Sequence, residues 1–201
     1  MGKGIGKNIL KSDGLPGLFR AADLEARGIP RGHLRTLLRK GQVEHVGRGL
    51  YRLSAAQPNE LETVAMVASA APGSIVCLLS ALQIHEVGTQ SPHEVWIAID
   101  YKARKPARLP VKVRIVRFSG SMLTYGIQTR SILGIPVRVT SPARTVVDCF
   151  RYRNKIGLDV ALEALRDAVR TRKATVDEIM RAAEVCRART VMRSYLEALA
   201  P

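Results

Sequence analysis

Three features of the sequence predict an α+β fold in two parts. Near the N-terminus, short helix-forming segments meet at a glycine turn and are followed at once by a hairpin pattern. A polar stretch with a proline, Ser54-Ala55-Ala56-Gln57-Pro58-Asn59, then interrupts the chain as a linker. Beyond it, β-prone runs alternate with amphipathic helical segments, the pattern of a small sheet between helical flanks. The first part is assigned to residues 1–53 and the second to residues 59–201.

In the first part, Ile5 to Leu10 fits a short helix, broken by Gly14, Pro16 and Gly17. A second helix fits Arg20 to Arg27, with Gly28 where a C-terminal capping glycine belongs. Ile29-Pro30 opens a third, Arg31 to Lys40, which Gly41 ends. Two short helices around a tight glycine turn form a helix-turn-helix. In the third helix Leu34, Leu37 and Leu38 make one apolar stripe. The opposite face carries Gly32, Arg35, Thr36 and Arg39, flanked by Arg31, His33 and Lys40, with no acidic residue among them. Cations there suit phosphates, arginine suits the guanine edge, and Gly32 lets the backbone approach a groove. A solvated basic face is the alternative, and the lack of a Glu at i±4 counts against it. Gln42 to Leu53 then reads as a hairpin turning at Gly47-Arg48-Gly49. A hairpin after a recognition helix is a wing, so the segment reads as a winged helix-turn-helix. Arg48 at the tip and Arg52 join the DNA-facing set, while Tyr51 is expected to pack the hairpin on the helices.

Charge and composition point the same way. The 201 residues are 46% hydrophobic and 24% charged, a normal globular balance, but carry a net charge of +15. A surface that basic attracts polyanions, nucleic acid first. No apolar run approaches the roughly 18 residues that span a bilayer, and residues 1–10 have no signal-peptide core, so a cytoplasmic protein without membrane contact is expected. Cys77, Cys149 and Cys186 are far apart in apolar surroundings and read as buried hydrophobes.

In the second part, Asn59 to Glu62 has capping-box spacing ahead of a helix reaching about Ala70. Leu78 to His85 fits another helix. Glu94 to Asp100 and Ile135 to Val139 read as strands, and Val111 to Phe118 as a half-exposed one. Ser141-Pro142 opens a helix through Phe150, and Leu158 to Val169 is amphipathic. Thr175 to Glu178 is a second capping box, and Thr190 to Leu199 a final helix.

Catalytic constellations are sparse. Glu94 to Ile99 followed by Asp100-Tyr101-Lys102 imitates the second half of a nuclease pattern, but of the upstream acids, Glu86 and Glu94, neither is followed by a strand of its own. Gly73-Ser74 and Gly120-Ser121 are not followed by the Asp-x-Asp pair of a nucleotidyltransferase. His85 and His93 lack ligand spacing. The chain is therefore expected to be no enzyme and to need no metal or cofactor. Lys102, Arg104, Lys105, Arg108, Lys112, Arg114 and Arg117 form a basic run without an acid. It is either a solvated face or a second polyanion surface, for operator flanks, RNA or another nucleic acid. Asp148, in an apolar helix, reads as a buried carboxylate paired with Arg144 at i−4.

Several runs together resemble AbiEi-type antitoxins of bacterial type IV toxin–antitoxin systems. They are Leu18-Phe19-Arg20-Ala21-Ala22-Asp23-Leu24, Gly28-Ile29-Pro30-Arg31, Gly41, and Val46 to Leu53. Leu79 to His85 and Thr140 to Asp148 extend the likeness along most of the chain. The resemblance implies an autorepressing winged helix bound to operator DNA and joined to a C-terminal antitoxin domain. It also implies a nucleotidyltransferase-like toxin, opposed without a stable complex. A ligand-sensing winged-helix transcription factor and a winged-helix-targeted nuclease stay open as alternatives.

Overall fold

The computed structural model describes Leu15 and residues 17–47, 49–57 and 59–197. The helix expected over Ile5 to Leu10 and the hairpin-tip residue Arg48 lie outside the described residues. The first described element is a strand, β1 (Leu18–Arg20), where the sequence predicts no strand and a helix starting at Arg20. The helix α1 starts one residue later (Ala21–Glu25), held by the Arg20 amide donating to Asp23 Oδ2 at 2.6 Å. It also ends earlier than Arg27. The Gly28 and Ile29 amides turn back onto the carbonyls of Glu25 and Leu24, and Gly28 takes φ +74° to allow it. Helix α2 (Arg31–Arg39) stops the same way, with Gly41 at φ +63° and the Gln42 amide on the Leu37 carbonyl. Gly28 therefore shapes the turn between the two short helices, and Gly41 the turn from the second helix into the hairpin.

Strands β2 (Val43–Gly47) and β3 (Leu50–Leu53) form the expected hairpin. β1 pairs antiparallel with β3, giving a three-stranded sheet in the order β1-β3-β2. Phe19, Leu24, Ile29, Leu34, Leu37 and Val43 bury one another in a small core, and Tyr51 stacks on Phe19 with ring centroids 5.9 Å apart.

Helix α3 (Glu62–Ala70) follows the linker. The capping box expected from Asn59 does not form. Asn59 Oδ1 accepts from the Leu61 amide at 2.8 Å, a local turn, and the helix begins only at Glu62, whose carboxylate goes to Arg52 instead. A five-stranded mixed sheet then assembles from β4 (Ile75–Val76), β5 (Val95–Asp100), β6 (Val113–Phe118), β7 (Ile127–Ile132) and β8 (Ile135–Thr140). Its order is β6-β5-β4-β8-β7. β4 and β7 were not anticipated. Leu133 and Gly134 join β7 to β8 with φ of 51° and 83°, the double left-handed geometry of a tight hairpin turn.

Between and after the strands lie α4 (Leu78–His85), α5 (Pro142–Arg151), α6 (Arg153–Ile156), α7 (Leu158–Arg170), α8 (Val176–Val185) and α9 (Arg189–Glu197). The Thr175–Glu178 capping box forms with both of its hydrogen bonds. Period-2 alternation distributes the strand residues between two layers. Trp96, Ala98, Val116 and Phe118 face a core built with α4, α5, α7, α8 and α9. Val95, Ile97, Ile135, Val137 and Val139 face α3. β6 is half-exposed, as its alternation predicted: Val116 and Phe118 are buried on the α5 side, where Arg114 stays exposed, and Val113, Ile115 and Arg117 are half-buried on the other face.

Leu18 and Leu50, from the first sheet, are buried in this second layer with Val64, Ala65 and Ala68 of α3. The two parts therefore share apolar residues across the linker. The chain is a mixed α+β protein.

Candidate nucleic-acid interface

The apolar stripe of α2 fixes what its other side presents. Leu34 and Leu37 are buried and Leu38 is half-buried, which turns Arg31, Gly32, His33, Arg35, Arg39 and Lys40 outward, with Thr36 at the margin. Arg31 is paired: its Nε lies 2.7 Å from Glu25 Oε1 of α1. Sequence spacing along α2 could not show that partner, because it comes from the neighbouring helix. His33, Arg35, Arg39 and Lys40 have no ion pair among the described residues. A Cβ built on Gly32 meets nothing within 4 Å, so packing inside the protein does not demand a glycine there.

Arg52, grouped with these cations on sequence grounds, is engaged elsewhere. Its guanidinium lies 2.5 Å from Glu44 Oε2 and 3.1 Å from Glu62 Oε1. It links neighbouring strands of the hairpin to the start of α3. Arg20 adds a second link from β1, donating to Ser69 Oγ at 3.2 Å. Tyr51 faces inward, with His45 edge-on to it at 5.2 Å.

The basic run of the second part divides in two. Arg114 pairs with Glu94 at 2.7 Å and lies over the Trp96 ring. Arg117 donates to the carbonyls of Asp100, Tyr101 and Ala103, so its guanidinium is absorbed by the turn after β5. Lys102, Arg104, Lys105, Arg108 and Lys112 are exposed and have no ion pair among the described residues. Arg108 lines a crevice of about 270 Å³ with His45, Val46, Gly47, Leu50 and Met66. The basic loop thus returns to the base of the hairpin.

The carboxylates of the nuclease-like pattern are each engaged by a different partner. Glu94 holds Arg114, Glu86 meets Lys173 at 3.1 Å, and Asp100 Oδ1 accepts from the Lys102 amide at 2.7 Å. Among the described residues no three His, Cys, Asp or Glu side chains gather as a metal set.

One buried ionic group lies in the helical core of the larger sheet. Arg144 and Asp148 are completely buried, with Arg144 Nε 3.0 Å from both carboxylate oxygens. The guanidinium also donates to the carbonyls of Tyr125 and Met122 and lies over Phe118. Burial pushes the Asp148 carboxyl up to about 6 against the pull of Arg144. The i−4 spacing in the sequence predicts this buried pair; its carbonyl contacts also fasten α5 to the segment before β7. Cys77 and Cys149 beside it are buried thiols pushed well above their ordinary range by desolvation.

The two helices, the hairpin and its flanking strand coincide with a known signature. Residues 12–54 match the family model described as transcriptional regulator, AbiEi antitoxin. The AbiEi match ends where the linker begins. Over the whole chain, the fold is similar to the crystal structure of RV2827C protein from Mycobacterium tuberculosis, at a TM-score of 0.57 and 16% identity. That likeness covers 92% of this chain and 75% of the other, and at such identity it concerns the fold alone. No curated protein matches the chain. No helix among the described residues is long and apolar enough to cross a membrane.

Proposed function

We propose that the protein is a cytoplasmic, DNA-binding autorepressor that also serves as the antitoxin of a type IV toxin–antitoxin system. In this reading residues 1–53 are a winged helix-turn-helix, α2 is its recognition helix and the β2–β3 hairpin its wing. One observation carries the reading: α2 buries its leucines and presents Arg35, Arg39, Lys40 and His33 without ion pairs, inside the segment that matches the AbiEi regulator model. Unpaired cations on a rigid helix keep their charge for phosphates and base edges, whereas a cation bound to a carboxylate has to lose that partner first. The loop cations Lys102, Arg104, Lys105, Arg108 and Lys112 form a second polyanion-binding surface.

The resemblance to AbiEi antitoxins supports a nucleotidyltransferase-like toxin as the functional counterpart, without a stable complex. The test has two arms. Purified full chain is titrated against the DNA upstream of its own gene and against unrelated duplex, at several salt concentrations. The neighbouring gene is then expressed with and without this chain in a growth assay. Sequence-selective binding that falls steeply with salt, together with rescue of growth, is expected. Equal affinity for both duplexes would overturn the repressor reading, and no growth defect from the neighbouring gene would overturn the antitoxin reading.

A further inference from the structure

The turn after β5 presents an aromatic ring where a purely electrostatic surface has no use for one. Tyr101 is 71% exposed, the most exposed large hydrophobic side chain among the described residues, and no ring or cation stacks on it. The backbone beneath it is firmly held. The Tyr101 amide donates to the Phe118 carbonyl at 2.8 Å, and the Ala103 amide closes the turn onto the Asp100 carbonyl at 3.0 Å. Asp100 Oδ1 is occupied by the Lys102 amide, and Arg117 reaches the carbonyls of Asp100, Tyr101 and Ala103. From Tyr101 to Lys112 the chain contains Lys102, Arg104, Lys105, Arg108 and Lys112, and no acid; Pro106 and Pro110 stiffen it.

A rigid turn with an open aromatic face among free cations fits one ligand chemistry. In a duplex the base faces are already stacked, and an exposed ring finds only phosphate and sugar. In a single strand an unstacked base offers its face to the ring while neighbouring phosphates meet the cations. We infer that Tyr101 is a stacking platform for a base of single-stranded nucleic acid, whose backbone is held by Lys102, Arg104 and Lys105. The inference deepens the reading of this loop as a polyanion surface and is independent of operator binding through α2.

Fluorescence anisotropy of the full chain tests it with three labelled probes: a twelve-nucleotide uridine RNA, a twelve-nucleotide thymidine DNA, and an unrelated DNA duplex of the same length. Tyr101→Ala is expected to weaken single-strand binding by about tenfold to a hundredfold and duplex binding by less than about twofold, and Tyr101→Phe to retain wild-type affinity. Replacing Lys102, Arg104 and Lys105 together by Ala lowers the single-strand salt slope by about 2. Arg35→Ala/Arg39→Ala leaves single-strand binding unchanged, which separates this site from the operator interface. A tighter RNA probe assigns the ligand to RNA through its 2′-hydroxyls, and a tighter or equal DNA probe assigns it to any exposed single strand. Tyr101→Ala with wild-type single-strand affinity, or with equal losses on single strand and duplex, overturns the inference. The side chain is exposed, so the variant keeps its fold, and a thermal melt matching the wild type verifies this.

Discussion

Arg52 of β3 reaches Glu62 at the first turn of α3, with 3.1 Å between Nη1 and Oε1, across the stretch that joins the two parts of the chain. The same guanidinium holds Glu44 of β2, so one side chain ties the hairpin together and fastens it to the larger sheet's helical cover. Arg52→Ala is expected to lower stability by about 1 kcal/mol, because the guanidinium is partly exposed. It should leave the salt slope of operator binding unchanged, since the cation is spent inside the protein. Urea unfolding read beside a salt titration distinguishes this from a phosphate contact, whose loss would reduce the slope by about 1.

Arg35 and Arg39 differ from Arg52 in having no carboxylate partner among the described residues. Either one, if it reads guanine, should cost roughly 1–3 kcal/mol at the cognate site when changed to Ala, and less on random DNA. Equal losses on both would make it a phosphate contact. Gly32→Ala provides a complementary test. The site has open space, so folding should be unharmed or improved by up to about 1 kcal/mol. If the backbone must lie close to a groove, operator affinity falls nonetheless.

The Arg144–Asp148 pair is fully enclosed, which makes its halves unequal to its whole. Asp148→Ala strands a guanidinium in the core and is expected to cost about 3–5 kcal/mol. Replacing both residues by apolar side chains of similar volume should recover much of that loss. Chemical denaturation of the single and double variants decides it; an equal loss in both would show that the carbonyl contacts of Arg144, to Tyr125 and Met122, matter more than the ion pair.

His85 gives the fold an acid-sensitive point. Its Nε2 lies 2.6 Å from the Thr140 carbonyl, and its buried Nδ1 has no hydrogen-bond partner. Burial, partly offset by the Thr140 bond, holds the ring down at about 4, so the native state takes up the proton only well below the unfolded value of about 6.5. The stability this confers is complete above pH about 6.5 and is lost as pH falls toward 4. Asp148 acts in the opposite sense, because its raised carboxyl favours the native state as pH falls through about 6. Urea midpoints at pH 7 and pH 4.5 should show the wild type losing about 2 kcal/mol more than His85→Gln over that interval. Parallel losses would assign the acid sensitivity to other groups.

Caps and periodicity made much of this fold legible. Leu78 to His85 was delimited in the sequence at the residues where α4 lies, and the Thr175–Glu178 box announced α8. The strands that escaped had little pattern to give. β1 is three residues long and β4 two, and β7 is an edge strand whose Gln128, Thr129, Arg130 and Ser131 are all exposed. The turn at Leu133-Gly134 was obscured because leucine rarely adopts a positive φ. At the candidate interface the exposed face of α2 was readable from its leucines. The neutralisation of Arg31 by Glu25, and of Arg52 by Glu44 and Glu62, was not, since those partners meet only after helices and strands have packed.

Adjacent residues of β1 look opposite ways: Phe19 into the small helical core, Leu18 into the layer under α3. A stretch such as Ser54 to Asn59 would ordinarily let one module swing on a tether, meeting its target at a local concentration set by linker length. Here the two modules are clamped through a three-residue strand, and swinging would bring Leu18 and Leu50 into water. A duplex seated on α2 as proposed would therefore meet the second half of the molecule at one fixed heading.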